Sequence, residues 1–300
     1  MTGINKLKYI LGFIRAPFLV LAPACTLLGL ATAVHSAVGI NFSHAVLAFI
    51  GAISAHISVN TFNEYFDFKS GLDSRTNRTP FSGGSGTLQA RPELAGLAFG
   101  TAAASCGLVA LIGLYFLFVR GPLILPIGIA GLIIVATYTP RLVCNPYLCL
   151  LAPGLGFGIL TVMGTDFALT GRYSAAAFFA SLVPFFLVSD LLLLNQFPDV
   201  EADRTVGRKN LPILIGRRSA SLVYGIFLLL AYLSLAAGVI SGYLPAGALA
   251  GLFTIVLAVP ASIGAYRHAD DMKKLAPYLA INVIINIATP VLAAIGILTR

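Results

Sequence analysis

The sequence has no tryptophan, and only 10% of its 300 residues are Asp, Glu, Lys or Arg. Soluble globular chains carry about a quarter charged residues, so this scarcity excludes a water-soluble fold. The missing tryptophan leaves 11 Tyr and 20 Phe to supply the aromatic belt of a membrane protein. Short alternating segments are absent too, which excludes an outer-membrane barrel. Cysteine is sparse: Cys25, Cys106, Cys144 and Cys149 lie in or beside apolar runs, with neither CxxC spacing nor partnered histidine. They read as small buried residues, not as a disulfide or metal framework. A net charge of +8 invites nucleic acid, but no basic patch sits on a soluble module.

Apolar residues fill the space that charge leaves: 58% of the chain is hydrophobic and the mean hydropathy is +0.93. A membrane span takes about 20 apolar residues. Nine segments qualify, near 10–34, 41–66, 94–118, 122–140, 147–169, 174–197, 218–241, 244–266 and 276–298. The expected fold is all-α, a polytopic membrane bundle of nine transmembrane helices forming one domain over 1–300. Within it, two four-helix halves (10–140 and 147–266) precede the last helix. With the N-terminus inside, 16 of the 19 basic residues fall on the inner side, leaving Arg120, Arg172 and Arg300 outside. The positive-inside rule therefore favours N-in and C-out; the expected location is a bacterial or archaeal cytoplasmic membrane.

Acidic residues are so few that their placement is informative. Six of 11 fall in two clusters: Glu64, Asp67 and Asp73, then Asp199, Glu201 and Asp203. These clusters open the two long inner loops, 67–93 and 199–217, at the ends of the second and sixth spans. Four spans separate them, so they face the same side. At helical spacing His56, Asn60, Asn63 and Asp67 share a face, as do Asn195, Asp199 and Asp203, with Pro198 a possible stop. Polar stripes at this depth are costly unless they face a wet cavity or the bundle interior. Opposed carboxylates at one end of a bundle suit a hard divalent cation. Magnesium takes oxygen ligands and is commonly shared between carboxylates and substrate phosphates. Lys69, Arg75 and Arg78 follow the first cluster, and Arg204, Arg208 and Lys209 the second, as a metal-bound diphosphate would require.

These residues resemble a known family. Asn63-Glu64-x-x-Asp67 with Gly71 and Asp73 is similar to the first signature of the UbiA-type intramembrane prenyltransferases. Asp199-x-x-x-Asp203 is similar to their second, which Gly207-Arg208-Lys209-Asn210-Leu211 continues. Arg15-Ala16-Pro17 and Tyr138-Thr139-Pro140 fit as well. The 67–73 spacing and Gly83-Gly84-Ser85-Gly86 look most like the menaquinone branch, which prenylates 1,4-dihydroxy-2-naphthoate. Two departures stand out. Glu64 occupies a position where the family usually has Asp, and the segment 141–149 lacks that branch's Gly-Leu-Gly-acid pattern.

The resemblance implies an electrophilic alkylation in quinone biosynthesis, with a polyprenyl diphosphate as donor, an aromatic acceptor and Mg2+ as cofactor. Asp67, Asp73, Asp199 and Asp203 would be catalytic and, with Asn63 and Glu64, would ligate the metal. Asn63, Asn195, Arg78, Arg208, Lys209 and Tyr138 would contact the metal-diphosphate. Tyr65, Phe66 and Tyr138 could face the allylic cation. Residues 83–86 are expected to act as a lid, as a phosphate-binding turn or as a plain linker. Asp190 and His56 are intramembrane polar groups without an assigned role. Other acceptors, such as 4-hydroxybenzoate or a lipid-soluble molecule, stay open. So does a secondary transporter, although transporter sites lie near the midplane.

Overall fold

A membrane-embedded backbone must satisfy its polar groups internally, and a helix does so along its length. The computed structural model describes residues 3–36, 39–76, 78–79 and 82–299, and among these there are helices and turns but no strand. Helix α1 (Gly3–Phe13) comes first. Eight helices are long and apolar enough to cross a membrane. They are α2 (Ala16–Ser36), α3 (Phe42–Ser70), α5 (Pro92–Arg120), α7 (Pro146–Thr170), α8 (Ala175–Asn195), α11 (Arg217–Ile240), α12 (Ala246–Arg267) and α13 (Met272–Leu298). A shorter apolar helix, α6 (Pro122–Thr137), completes the nine positions expected. It falls short of the ~20 residues of a full span because Pro122 opens it and the turn at Tyr138-Thr139-Pro140 ends it. The long polar loops hold α4 (Thr87–Ala90), α9 (Val200–Thr205) and α10 (Leu211–Ile215).

Two boundaries differ from the hydropathy reading. The first apolar run is divided, because the chain turns at Arg15, the one non-glycine residue with positive φ among those described. Pro17 then opens the next turn with its fixed φ. At the other boundary α3 continues past residue 66 to Ser70, and stops at Gly71 (φ 73°). Glycine adopts this left-handed backbone without a Cβ clash, so a helix ends there readily. Asp67 therefore stands in the last helical turn, with a fixed direction, and not in a loop.

Packing is uneven. Leu187 on α8, Tyr224 and Leu235 on α11, Leu279 and Ile285 on α13 and Leu28 on α2 belong to one fully buried core. Where α7 crosses α8, a Cβ on Gly154 or Gly158 would overlap the backbone of Phe185. The helix there winds in wider π turns over Leu155–Met163, a feature often found beside functional sites. By contrast, only Leu94, Ala98, Ala102 and Phe116 of α5 are buried. Between that looser side (α3, α5, α6) and the tight core runs a cavity.

Candidate active site

Four apolar helices, α5 to α8, separate the two acidic clusters in sequence, yet one side chain joins them. Arg208, in the loop after α9, donates through Nη2 to Asp67 Oδ1 and through Nη1 to Asp203 Oδ1 at 3.3 Å. Asn210 Nδ2 holds the other oxygen of Asp203 at 2.7 Å. Asn210 also caps α10 by accepting from the Ile213 N–H, so the turn that forms that helix fixes the second carboxylate. On α3, Asn63 accepts from Arg15 Nη2 at 3.0 Å and donates to Thr139 Oγ1 at 3.3 Å. Asp73, just past Gly71, accepts from Gln89 Nε2 at 2.6 Å.

Electrostatics follow from this crowding. Burial raises the Asp199 carboxyl to about 7, with Asp203 adding to the shift and a hydrogen bond from Ser82 and the charge of Arg208 opposing it. Burial also raises Asp203, against the pull of Arg208. Asp73 rises through burial and then through the neighbouring Glu64, while the Gln89 hydrogen bond works the other way. Burial disfavours the Arg208 cation, but Asp67 and Asp203 more than offset it and its pKa is raised.

A cavity of about 560 Å3 begins at this polar end. Arg15, Asn63, Asp67, Asp73, Tyr138, Asn195, Asp199, Asp203 and Arg208 all line it. Ala48, Gly51, Ala52 and Ala55 continue the lining along α3, and Phe116, Ile124 and Ala168 reach its far end. From Asp67 to Ala48 the helical rise covers about 28 Å. The geometry is that of a long apolar slot with a charged mouth.

The donor set at the mouth is entirely oxygen on the acidic side. Asn195 Oδ1 and Asp199 Oδ1 are buried and have no hydrogen-bond partner. Such orphaned oxygens fit a hard cation or its waters. Among the described residues no three of His, Cys, Asp and Glu already converge as a ready metal cage; Arg208 stands between Asp67 and Asp203 instead.

Of the residues singled out in the sequence, Asn63, Asp67, Asp73, Tyr138, Asn195, Asp199, Asp203 and Arg208 share the cavity. Three of those expected to bind metal or diphosphate do not line it. The side chain of Lys209 is exposed, and its N–H bonds the Val143 carbonyl at 3.1 Å. Arg78 is exposed and packs its guanidinium on Gly86. Glu64 is fully buried behind the wall. Tyr65 and Phe66 point away from the cavity, with the Tyr65 ring 5.1 Å from Phe99 and the Phe66 ring 6.0 Å from Phe62. His56 does line the cavity, edge-on to Phe157 at 4.6 Å. Asp190 is buried, with neither oxygen hydrogen-bonded. The four cysteines are free thiols, and Cys149, beside Tyr138 in the lining, accepts from Gln196 Nε2 at 3.2 Å. Gln89 and Gln196, which bond residues of the site, carry no expectation from the sequence, and Asn210 enters only within the second signature. Asn210 carried a signal as a polar residue before a proline-led turn, but nothing in the sequence marks Gln89 or Gln196.

The chain is similar to known proteins over most of its length. The model of the UbiA prenyltransferase family matches residues 21–284. A 1,4-dihydroxy-2-naphthoate octaprenyltransferase from Bacillus subtilis (strain 168) is 29% identical over 213 residues, which is 70% of this chain and 66% of that protein, just under two thirds of its length. Among solved structures, the apo form of a UbiA homolog from Aeropyrum pernix K1 superposes with a TM-score of 0.71 at 18% identity, covering 94% of this chain and 97% of that one. A UbiA homolog from Archaeoglobus fulgidus, bound to DMAPP and Mg2+, gives 0.61 at 15% identity, covering 97% and 99%.

Proposed function

The chain belongs to the UbiA prenyltransferase family, and from that premise we propose that it transfers a polyprenyl group from its diphosphate to an aromatic acceptor of the 1,4-dihydroxy-2-naphthoate kind, in quinone biosynthesis. The observation that carries this reading is the shared grip of Asp67 and Asp203 on Arg208 at the mouth of a long apolar slot. A diphosphate head fits the charged mouth, and an isoprenoid tail fits the slot. The naphthoate acceptor is supported by the Bacillus relative and by the likeness of the 67–73 spacing and of residues 83–86 to the menaquinone branch.

Asp67, Asp73, Asp199 and Asp203, with Asn63 and Asn195, would hold Mg2+ and through it the diphosphate. When bound, the cation neutralises charge on the departing diphosphate oxygens. Arg208 contacts those oxygens directly, since a guanidinium binds phosphate in bidentate fashion. Its hold on two carboxylates keeps the fork oriented before substrate arrives. As the bond from the allylic carbon to oxygen breaks, its electron pair leaves with the diphosphate. The ring carbon of the acceptor supplies the pair for the new carbon–carbon bond, and the ring regains aromaticity by losing from that carbon a proton or, where it bears the carboxylate, CO2, the bonding pair returning to the ring. Tyr138 lies in the lining near Arg208, where its ring face can stabilise the allylic cation. The slot keeps the tail dry while the head stays at the inner, cytoplasmic surface, the side the positive charges favour.

Purified protein is incubated with geranylgeranyl diphosphate, Mg2+ and a panel of aromatic acids that includes 4-hydroxybenzoate. Products are identified by mass. A prenylated naphthoate that disappears in Asp67→Asn and Asp199→Asn, with folding intact, supports the assignment. Product on a different acid moves the acceptor; no product on any acid removes the aromatic-acceptor reading, and uptake of a solute into vesicles without prenylation of any acceptor would favour a transporter.

A further inference from the structure

Glu64 belongs to the first acidic cluster but does not line the cavity. It is 0% exposed, and donors occupy both its oxygens. Oε1 accepts from Arg15 Nε at 2.8 Å and from the Ser85 N–H at 2.6 Å, and Oε2 accepts the Ser85 hydroxyl at 3.0 Å. Three charge-assisted hydrogen bonds leave little capacity for a metal.

Both donors belong to elements that need holding. Arg15 forms the left-handed corner between α1 and α2 (φ 53°). Ser85 lies in a strap, 82–86, in which Gly83, Gly84 and Gly86 all have positive φ. That backbone has no helical or strand ladder of its own. The strap touches the acids at further points: the Ser82 side chain bonds Asp199, and a Cβ on Gly84 would stand 3.0 Å from both oxygens of Asp73. Just beyond it, Gln89 bonds Asp73. On the far side is a second cavity of about 230 Å3, lined by Leu11, Gly12 and Ser85 among others. Arg15, Pro17, Phe18, Ser82 and Gly84 line both cavities, so the α1–α2 corner and the strap form the wall between them.

We propose that Glu64 is a positioning residue and not a metal ligand: it latches Arg15 and the 82–86 strap together as the wall that keeps water away from the reacting carbon. The inference rests on the prenyl diphosphate reading of the main cavity. If the wall opens, water can take the acceptor's place. The allylic carbon–oxygen bond then breaks as before, water supplies the new carbon–oxygen bond and a proton leaves, giving prenyl alcohol and diphosphate.

Glu64→Gln and Ser85→Ala test this against the parent. Backbone hydrogen exchange over 82–89 is measured without metal or substrate, and Mn2+ affinity by electron paramagnetic resonance. The ratio of geranylgeraniol to prenylated acceptor is then read with geranylgeranyl diphosphate. Both variants should speed exchange roughly tenfold, the scale of a lost charged hydrogen bond, leave Mn2+ affinity unchanged and raise the alcohol ratio. Weakened Mn2+ binding in Glu64→Gln with exchange unaltered would make it a ligand and overturn the proposal; so would no change in exchange or ratio. Should Glu64→Gln fail to fold, Ser85→Ala decides alone by the same readings. If the parent prenylates no acceptor, the functional reading falls, while exchange and alcohol release still judge the latch.

Discussion

Arg208 must serve two carboxylates at once, which a lysine cannot do in the same geometry. Its planar fork places separate N–H groups on Asp67 and Asp203, whereas an ammonium is a single flexible point charge. Arg208→Lys should therefore raise KM for the prenyl diphosphate about tenfold while the fold persists, the loss of one bidentate pairing; steady-state kinetics over a donor series would show it. Asp199 makes a second prediction through pH. Its folded pKa is raised to about 7 by burial and by Asp203, so the carboxyl is neutral in mild acid and must ionise to take a cation. Below pH 7, Mg2+ affinity should fall about tenfold per pH unit for this one proton, as a titration between pH 5.5 and 8 would report. Stability of the metal-free protein runs the opposite way. The folded state holds that proton more tightly than the unfolded chain, so stability is highest in acid and declines as pH rises from the ordinary carboxylate range to about 7. Thermal midpoints in chelator at both ends of that range check the sign.

At the scale of elements, the α7–α8 crossing limits what the slot can become. Gly158 sits against the Phe185 backbone with no room for a Cβ. Gly158→Leu should push the helices apart and destabilise the protein by about 1–3 kcal/mol, seen as a lower thermal midpoint in detergent. Glycines at 154 and 158 are visible in the sequence at a one-turn spacing. Nothing there says which helix they meet, because close approach depends on a partner 27 residues later in the chain. The end of α3 lies beyond the apolar boundary for a related reason. The apolar run ends at residue 66, just after the first charge at Glu64, while the helix runs on until Gly71 provides a left-handed exit. Composition registers the membrane boundary, and backbone geometry registers the end of the helix.

For the whole molecule, the outward surface carries the membrane argument. Phe118, Ile240, Phe253 and Val256 are each more than 70% exposed and belong to a long series of exposed large apolar side chains along the helices, a surface costly in water and matched by lipid. The 16-to-3 split of basic residues then predicts sidedness. In a cysteine-free background, Arg75→Cys and Arg204→Cys should react with an impermeant maleimide from the cytoplasmic side, and Arg172→Cys from the other. Labelling of all three from one side would refute the orientation.

What the linear chain determined was whatever follows from local composition and period: nine apolar helical positions, the sign of the loop charges, and two acidic clusters forced to one side by the even number of spans between them. Those properties need no knowledge of neighbours, because the bilayer acts on each segment separately. Only the tertiary structure decided which members of the clusters face each other. It set Asp67 and Asp203 on Arg208, turned Lys209 and Arg78 outward, and closed Glu64 behind the wall with Ser85. Hydrogen-bond partnership across 141 residues, as between Arg208 and Asp67, depends on how helices pack, and packing is a property of shapes that meet only after folding.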